Sequence, residues 1–130
     1  LYGFEARVSP VANGRDGKKK DPFLAALDSG RTNATREAVY LEWFTRRLEG
    51  IARPVNAEVS GFDLARSRRS THAAEGPKSK GGIKIPDVRI SGHLLVEDPE
   101  RFGELFLRGL GKHKAFGYGA IFLRPAKQAA

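Results

Sequence analysis

Tyr2, Phe4, Ala6 and Val8 alternate with Gly3, Glu5, Arg7 and Ser9. That period of two predicts a strand with one buried face. Turn residues and cations over residues 13–20 then break the pattern and predict a basic loop. Residues 22–34 carry only Phe23, Leu24 and Leu27 at helical spacing, enough for one helical turn. From residue 35 to 48 the period lengthens and predicts the principal helix. Thr35 is its N-cap, Glu37 lies in the electropositive first turn, and Arg46 and Arg47 suit the last turn. Leu41, Phe44, Leu48 and Ile51 form its expected core stripe, with Tyr40 and Trp43 beside it. Gly50 and Pro54 end it.

Alternation resumes at Val55, Ala57 and Val59, and Phe62 and Leu64 take the opposite phase. A flip at Gly61 predicts a bulge there. A third strand spans residues 87–97, with Val88, Ile90, Leu94 and Val96 on one face and Arg89, Ser91, His93 and Leu95 on the other. Asp98, Pro99 and Glu100 open a second helix: an acidic cap, proline at the first position and a carboxylate in the first turn. Phe102, Leu105 and Phe106 are its expected buried side, and Gly109 stops it. A last strand is expected over residues 118–123, with Phe122 in the core.

The order strand, helix, strand, strand, helix, strand gives an α+β class and a ferredoxin-like (RRM/RAMP-like) β-α-β-β-α-β sandwich. A four-stranded antiparallel sheet is expected with helices on one face. The length of 130 residues allows one domain with a real core, residues 1–130. The chain contains no methionine and opens directly on a strand pattern, which reads as one part of a longer protein.

Charge changes the picture most. The net charge is +8, and three segments hold more than all of it. The first carries Arg15, Lys18, Lys19 and Lys20 against Asp16. The second carries Arg66, Arg68, Arg69, Lys78, Lys80 and Lys84 against Glu75. The third carries Arg108, Lys112 and Lys114. Confinement to three loops is the pattern of a polyanion-binding footprint, with nucleic acid the leading partner class. The middle segment joins two strands by about twenty residues, far more than the usual two to five, and reads as a long basic β-hairpin. Arginine offers a planar fork for phosphate or a guanine edge.

The third segment is Gly109-Leu110-Gly111-Lys112-His113-Lys114-Ala115-Phe116-Gly117-Tyr118-Gly119. Its glycines permit close backbone approach to a partner. It is not a Walker phosphate loop, since no Gly-Lys-Ser/Thr opens a helix. Residues 120–125 read as strand rather than helix, which excludes a dinucleotide fingerprint. A simple connecting turn is the alternative. Phe116 and Tyr118 are placed either to stack on a base or to close the loop hydrophobically.

Other chemistry is sparse. Without cysteine, disulfides and thiolate metal sites are excluded. His72, His93 and His113 stand in no spacing that makes a catalytic pair or a metal site, so neither a metal nor another cofactor is expected. No apolar run approaches the roughly 20 residues of a membrane span, and no signal-peptide pattern opens the chain. No membrane partner and a cytoplasmic location are therefore expected. From its own residues the chain reads as a binder rather than an enzyme. A phosphate-ligand enzyme with the glycine loop as its cradle is a further reading.

The run from Gly109 to Gly119 and the apolar strand after it resemble the glycine-rich signature of the RAMP superfamily. The nearest resemblance is to the CasE-type CRISPR endoribonucleases of type I-E Cascade. The strand and Asp98-Pro99-Glu100-Arg101 helix start, the opening strand, the basic loop and the Trp43 helix also resemble that family. The resemblance implies the C-terminal half of a two-domain protein that cuts precursor CRISPR RNA at the base of a repeat stem-loop without metal, leaving a 2′,3′-cyclic phosphate. It implies retention on the 3′ hairpin with other Cascade subunits as partners. It places Arg66, Arg68, Arg69, Lys78 and Lys80 on the hairpin that enters the stem's major groove. Arg15, Lys18, Lys19, Lys20, Gly109, Gly111, Lys112, His113 and Lys114 complete the expected RNA contacts. No residue here matches the family's catalytic histidine motif in the N-terminal domain, so no catalytic residue is assigned. A non-catalytic RAMP-family RNA-binding subunit is the alternative.

Overall fold

The computed structural model describes residues 1–13, 18–67, 83–110 and 118–125. Strand β1 is Tyr2–Val8. A two-residue ribbon comes next, β2 Ala12–Asn13 against β3 Lys19–Lys20, then helix α1, Pro22–Asp28, and helix α2, Arg36–Arg47. The long strands β4, Ala52–Ser67, and β5, Ile83–Val96, precede helix α3, Pro99–Arg108, and strand β6, Ile121–Pro125. The sheet order is β4-β5-β1-β6 with every neighbour antiparallel. This is the ferredoxin-like arrangement, with the β2–β3 ribbon and α1 inserted before the principal helix.

Pattern dictates the core. Phe4, Ala6 and Val8 from β1 meet Val88, Ile90 and Leu94 from β5, all six fully buried, and Ile121 of β6 is nearly so. Tyr40, Phe44 and Leu48 of α2 close over them, with the Phe4 and Phe44 rings stacked at 5.4 Å. Thr35 caps α2 by accepting from the Ala38 N–H at 3.2 Å, and Asp98 caps α3 by accepting from the Arg101 N–H at 3.1 Å. Each cap satisfies one orphan donor and contributes about 1 kcal/mol.

The bulge expected at Gly61 is present as a register shift between Val59 and Gly61, and a second lies between Val55 and Glu58. At the second, Asn56 has φ 52° and faces Gly92, where a Cβ would lie 2.7 Å from both the Asn56 carbonyl oxygen and the Ala57 Cα. Only glycine lets β4 and β5 approach this closely.

Several expectations fail for identifiable reasons. Tyr40, not Leu41, is the fully buried member of α2, because its hydroxyl finds buried partners. Residues 22–28 form two helical turns, started by Asp21 accepting from the Phe23 N–H at 2.9 Å. The last strand begins at Ile121, so Phe122 falls on the outer face and is 66% exposed. Phe106 tilts against Phe102 at the edge of α3 and stays 43% exposed.

Candidate nucleic-acid interface

Strand register fixes where the three cationic segments leave the fold. β1 ends at Val8, opposite Val88 of β5, and Phe62 of β4 flanks the same Val88. The basic loop leaves β1 at this end. The β4–β5 arm runs on past Val88, paired to Ser67 opposite Ile83. Five further residues of β5 extend it by about 17 Å at strand rise. α3 returns to the same end and stops at Gly109. The chain re-enters at Gly119, whose N–H donates to the Arg7 carbonyl at 2.7 Å. All three cationic segments are therefore rooted at one end of the sheet.

Two polar clamps build those roots. Aspartates 21 and 87 are the buried charged residues among those described. At the first clamp, Arg7 grips Asp87 with both prongs, Nε to Oδ1 at 2.9 Å and Nη2 to Oδ2 at 2.6 Å. The same guanidinium lies 5.1 Å from the centre of the Tyr118 ring. This ties β1 and β5 to the residue that ends the glycine-rich loop. Hydrogen bonding from Arg7 is the main cause that holds the Asp87 carboxyl below the usual carboxylate range, against the opposing effect of burial. Burial, then the Asp87 charge, push the Tyr118 phenol up, and Arg7 opposes them. Next to the clamp, the Leu110 N–H donates to the Gly119 carbonyl at 2.9 Å. Gly119 has φ 93°, and a Cβ there would lie 2.6 Å from the Leu110 carbonyl oxygen.

At the second clamp, Asp21 accepts from the Tyr40 hydroxyl at 2.8 Å and from Arg36 Nη1 at 2.8 Å. Arg36 also donates to the Tyr40 oxygen at 2.6 Å. Its guanidinium sits 4.5 Å from the ring centres of both Phe23 and Phe62, and Phe62 stacks on Tyr40 at 5.7 Å. α1, α2 and the hairpin arm thus share one arginine. Burial, with the Asp21 hydrogen bond and charge adding, drives the Tyr40 phenol far above its ordinary value.

Of the expected RNA contacts, Lys18 and Lys19 are exposed beside the ribbon, and Lys20 is half-buried with its ammonium 2.6 Å from Asp28. Arg66 lies on β4 opposite Lys84 in register. Gly109 caps α3 by donating to the Leu105 carbonyl at 2.8 Å. Arg15, Arg68, Arg69, Lys78, Lys80, Gly111, Lys112, His113 and Lys114 lie outside the described residues, as do His72 and Phe116. His93 is half-buried on the outer sheet face, opposite Gly3 and Val55. Tyr118 is buried, so of its two expected roles it takes loop closure. Among the described residues, no three His, Asp or Glu side chains are grouped to hold a metal ion, and no helix is long and apolar enough to cross a membrane.

Both clamps escaped sequence reasoning. Asp21-Pro22 carries the same cap signature as Asp98-Pro99 and could have been found. Arg7 and Asp87 are 80 positions apart, and nothing local announces their pairing.

The model of the CRISPR associated protein family matches residues 1–125. Among curated proteins nothing matches the chain. Among solved structures, it is similar to Cse3 of Thermus thermophilus bound to an RNA representing a pre-cleavage complex, with 24% identity and a TM-score of 0.70 over 95% of this chain and 53% of that one. It is also similar to Cas6e of Escherichia coli K-12, with 24% identity and a TM-score of 0.56 over 96% of this chain and 60% of that one. A chain of a CRISPR RNA-guided surveillance complex aligns at 18% identity with a TM-score of 0.67, over 96% of this chain and 58% of that one. The chain thus spans little more than half the length of these structures, and the likeness is one of fold.

Proposed function

The chain belongs to the CRISPR-associated protein family, and on that premise we propose that residues 1–130 form a single ferredoxin-like RNA-binding domain, the C-terminal half of a two-domain CasE-type endoribonuclease. Its ligand is the stem-loop of a CRISPR repeat. The whole protein cuts precursor CRISPR RNA and stays on the 3′ hairpin beside other Cascade subunits, in the cytoplasm. No cofactor enters this reading.

One observation carries it: three cationic segments rooted at one end of one sheet. A duplex stem presents two phosphate ridges, and a paired ribbon projecting about 17 Å can lie along one of them while shorter loops hold the other. Affinity then comes mainly from phosphate neutralisation. The hairpin arginines Arg66, Arg68 and Arg69 lead, with Lys78 and Lys80 beside them. Arg15, Lys18, Lys19 and Lys20 form the second contact. Gly109, Gly111, Lys112, His113 and Lys114 form the third. The clamps at Asp21 and Asp87 fix the directions in which these segments leave. Solved relatives of this fold include a CRISPR endoribonuclease, Cse3, bound to a 19-nucleotide RNA.

Charge reversal of Arg66, Arg68 and Arg69 together tests the proposal. Binding of a repeat hairpin should weaken by about 3 kcal/mol, and the slope of log affinity against log salt should flatten by about three. Unchanged affinity and slope would overturn it. Cleavage of the same RNA by the intact protein, with a 2′,3′-cyclic phosphate on the product, separates the nuclease from a non-catalytic RAMP-family subunit.

A further inference from the structure

On the helical layer a cleft of about 730 Å3 opens between α1, α2 and the β2–β3 ribbon. Lys19 contributes from the ribbon, Arg31 from the segment after α1, and Arg46 and Arg47 from the last turn of α2. Trp43 lines the same cleft, 8% exposed, with its indole N–H donating to the Val11 carbonyl at 3.3 Å. The Arg47 guanidinium lies 5.4 Å from the centre of that indole. Glu42 is the carboxylate of the cleft, and Arg31 holds it at 2.9 Å. Among the described residues, no carboxylate pairs with Lys19, Arg46 or Arg47.

The helix dipole accounts for cations in the last turn of α2, at a few tenths of a kcal/mol each. It gives no reason for Lys19 and Arg31 to face them across a concavity. Like charges lining one cleft repel, and an anion between them removes that cost. Lys19 supplies the identity of the anion. It belongs both to the basic loop rooted at the RNA-facing end and to the wall of this cleft. A rigid A-form stem keeps its phosphates on convex ridges and cannot enter a concavity of this size. A single strand can fold into it and stack a base on a guanidinium or indole plane.

We infer that the cleft holds the phosphates of single-stranded RNA flanking the hairpin, an inference that rests on the RNA-binding function proposed above. The flank runs from the basic loop along α2 and ends at Arg46 and Arg47. α2 is twelve residues long, so this path measures about 18 Å.

The intact protein is titrated with three probes: a bare repeat hairpin, and the same hairpin with about six single-stranded nucleotides added at the 5′ or at the 3′ end, within the site size of single-strand binders. One extension should tighten wild-type binding about tenfold. R46E/R47E should lose that gain and leave bare-hairpin affinity unchanged, and R46K/R47K should keep it. Both arginines are exposed, so thermal melting of the variants should match the wild type. Equal wild-type affinity for all three probes overturns the inference and leaves the hairpin function standing. So does equal loss on bare and flanked RNA, or retention of flanked-RNA binding by a variant that loses a protein partner. Failure of the wild type to bind the bare hairpin removes the function itself, and the inference with it.

Discussion

Asp87→Asn removes one carboxylate from the clamp that ties β1, β5 and Tyr118 together. The substitution keeps the shape and one acceptor oxygen. It replaces the second acceptor with an amide that points donors at Arg7, and it deletes the charge. A fully buried ion pair broken on one side costs about 3–5 kcal/mol, and an exposed one at most about 1. Here the aspartate side chain is 11% exposed and the arginine 45%, so water can reach the guanidinium left behind. The cost should fall between those limits, at about 2 kcal/mol. For a domain of this size that is about 6–10 °C in melting temperature.

The pH dependence has a definite sign. The Asp87 carboxyl lies below its ordinary value in the folded protein. Its contribution is therefore complete above the unfolded carboxylate range, near pH 4, and is lost as pH falls through the lower folded value. Urea titrations at neutral pH and at a series of values below about pH 4 should show wild type and D87N converging as acid is added. Glu5→Gln, on the same exposed face of β1, serves as control and should change stability by less than about 0.5 kcal/mol. A D87N protein as stable as the wild type at neutral pH would refute the clamp, as would a difference that does not shrink in acid.

Tyr40→Phe leaves the Asp21 carboxylate with one partner fewer and should cost about 1–2 kcal/mol in urea titrations near neutral pH. The folded Tyr40 pKa is raised, so this group's contribution is complete below about pH 10 and is lost as pH rises further; Y40F should show a shallower alkaline loss than wild type. Gly119→Ala should destabilise by about 2 kcal/mol or more, because it combines positive φ with a 2.6 Å clash against Leu110 backbone. Gly103→Ala in the middle of α3, where a new Cβ meets nothing within 4 Å, should raise stability by about 0.5–1 kcal/mol in the same melts. Phe44→Ala, which empties a fully buried site stacked on Phe4, should cost about 3–5 kcal/mol and leave little folded protein at 37 °C.

The frame was legible because its signals are local. Thr35 with the apolar period of α2, and Asp98-Pro99 before α3, are caps written within four residues of the turns they start. The opposite phases of Val59 and Phe62 announced the Gly61 bulge. Failures arose where side-chain chemistry overrode periodicity. Tyr40 is drawn inside by Asp21 and Arg36, and Phe122 is turned outward because β6 starts three residues later than its apolar run. Net charge located the three basic segments, but only the register of β1 against β5 and β6 shows that their roots meet at one end. The clamps depend on contacts between distant positions, and no local pattern encodes them.

Hydrogen exchange of the intact protein, with and without a repeat hairpin RNA, tests the common root most directly. Binding should slow exchange in residues 18–20, 63–67, 83–87, 109–110 and 118–119 together. Ile51, Ala52 and Glu97, joined at the far end by the Glu97 N–H donating to the Ile51 carbonyl at 2.9 Å, should exchange as before. Protection confined to that far end, or spread over only one of the three roots, would contradict the account.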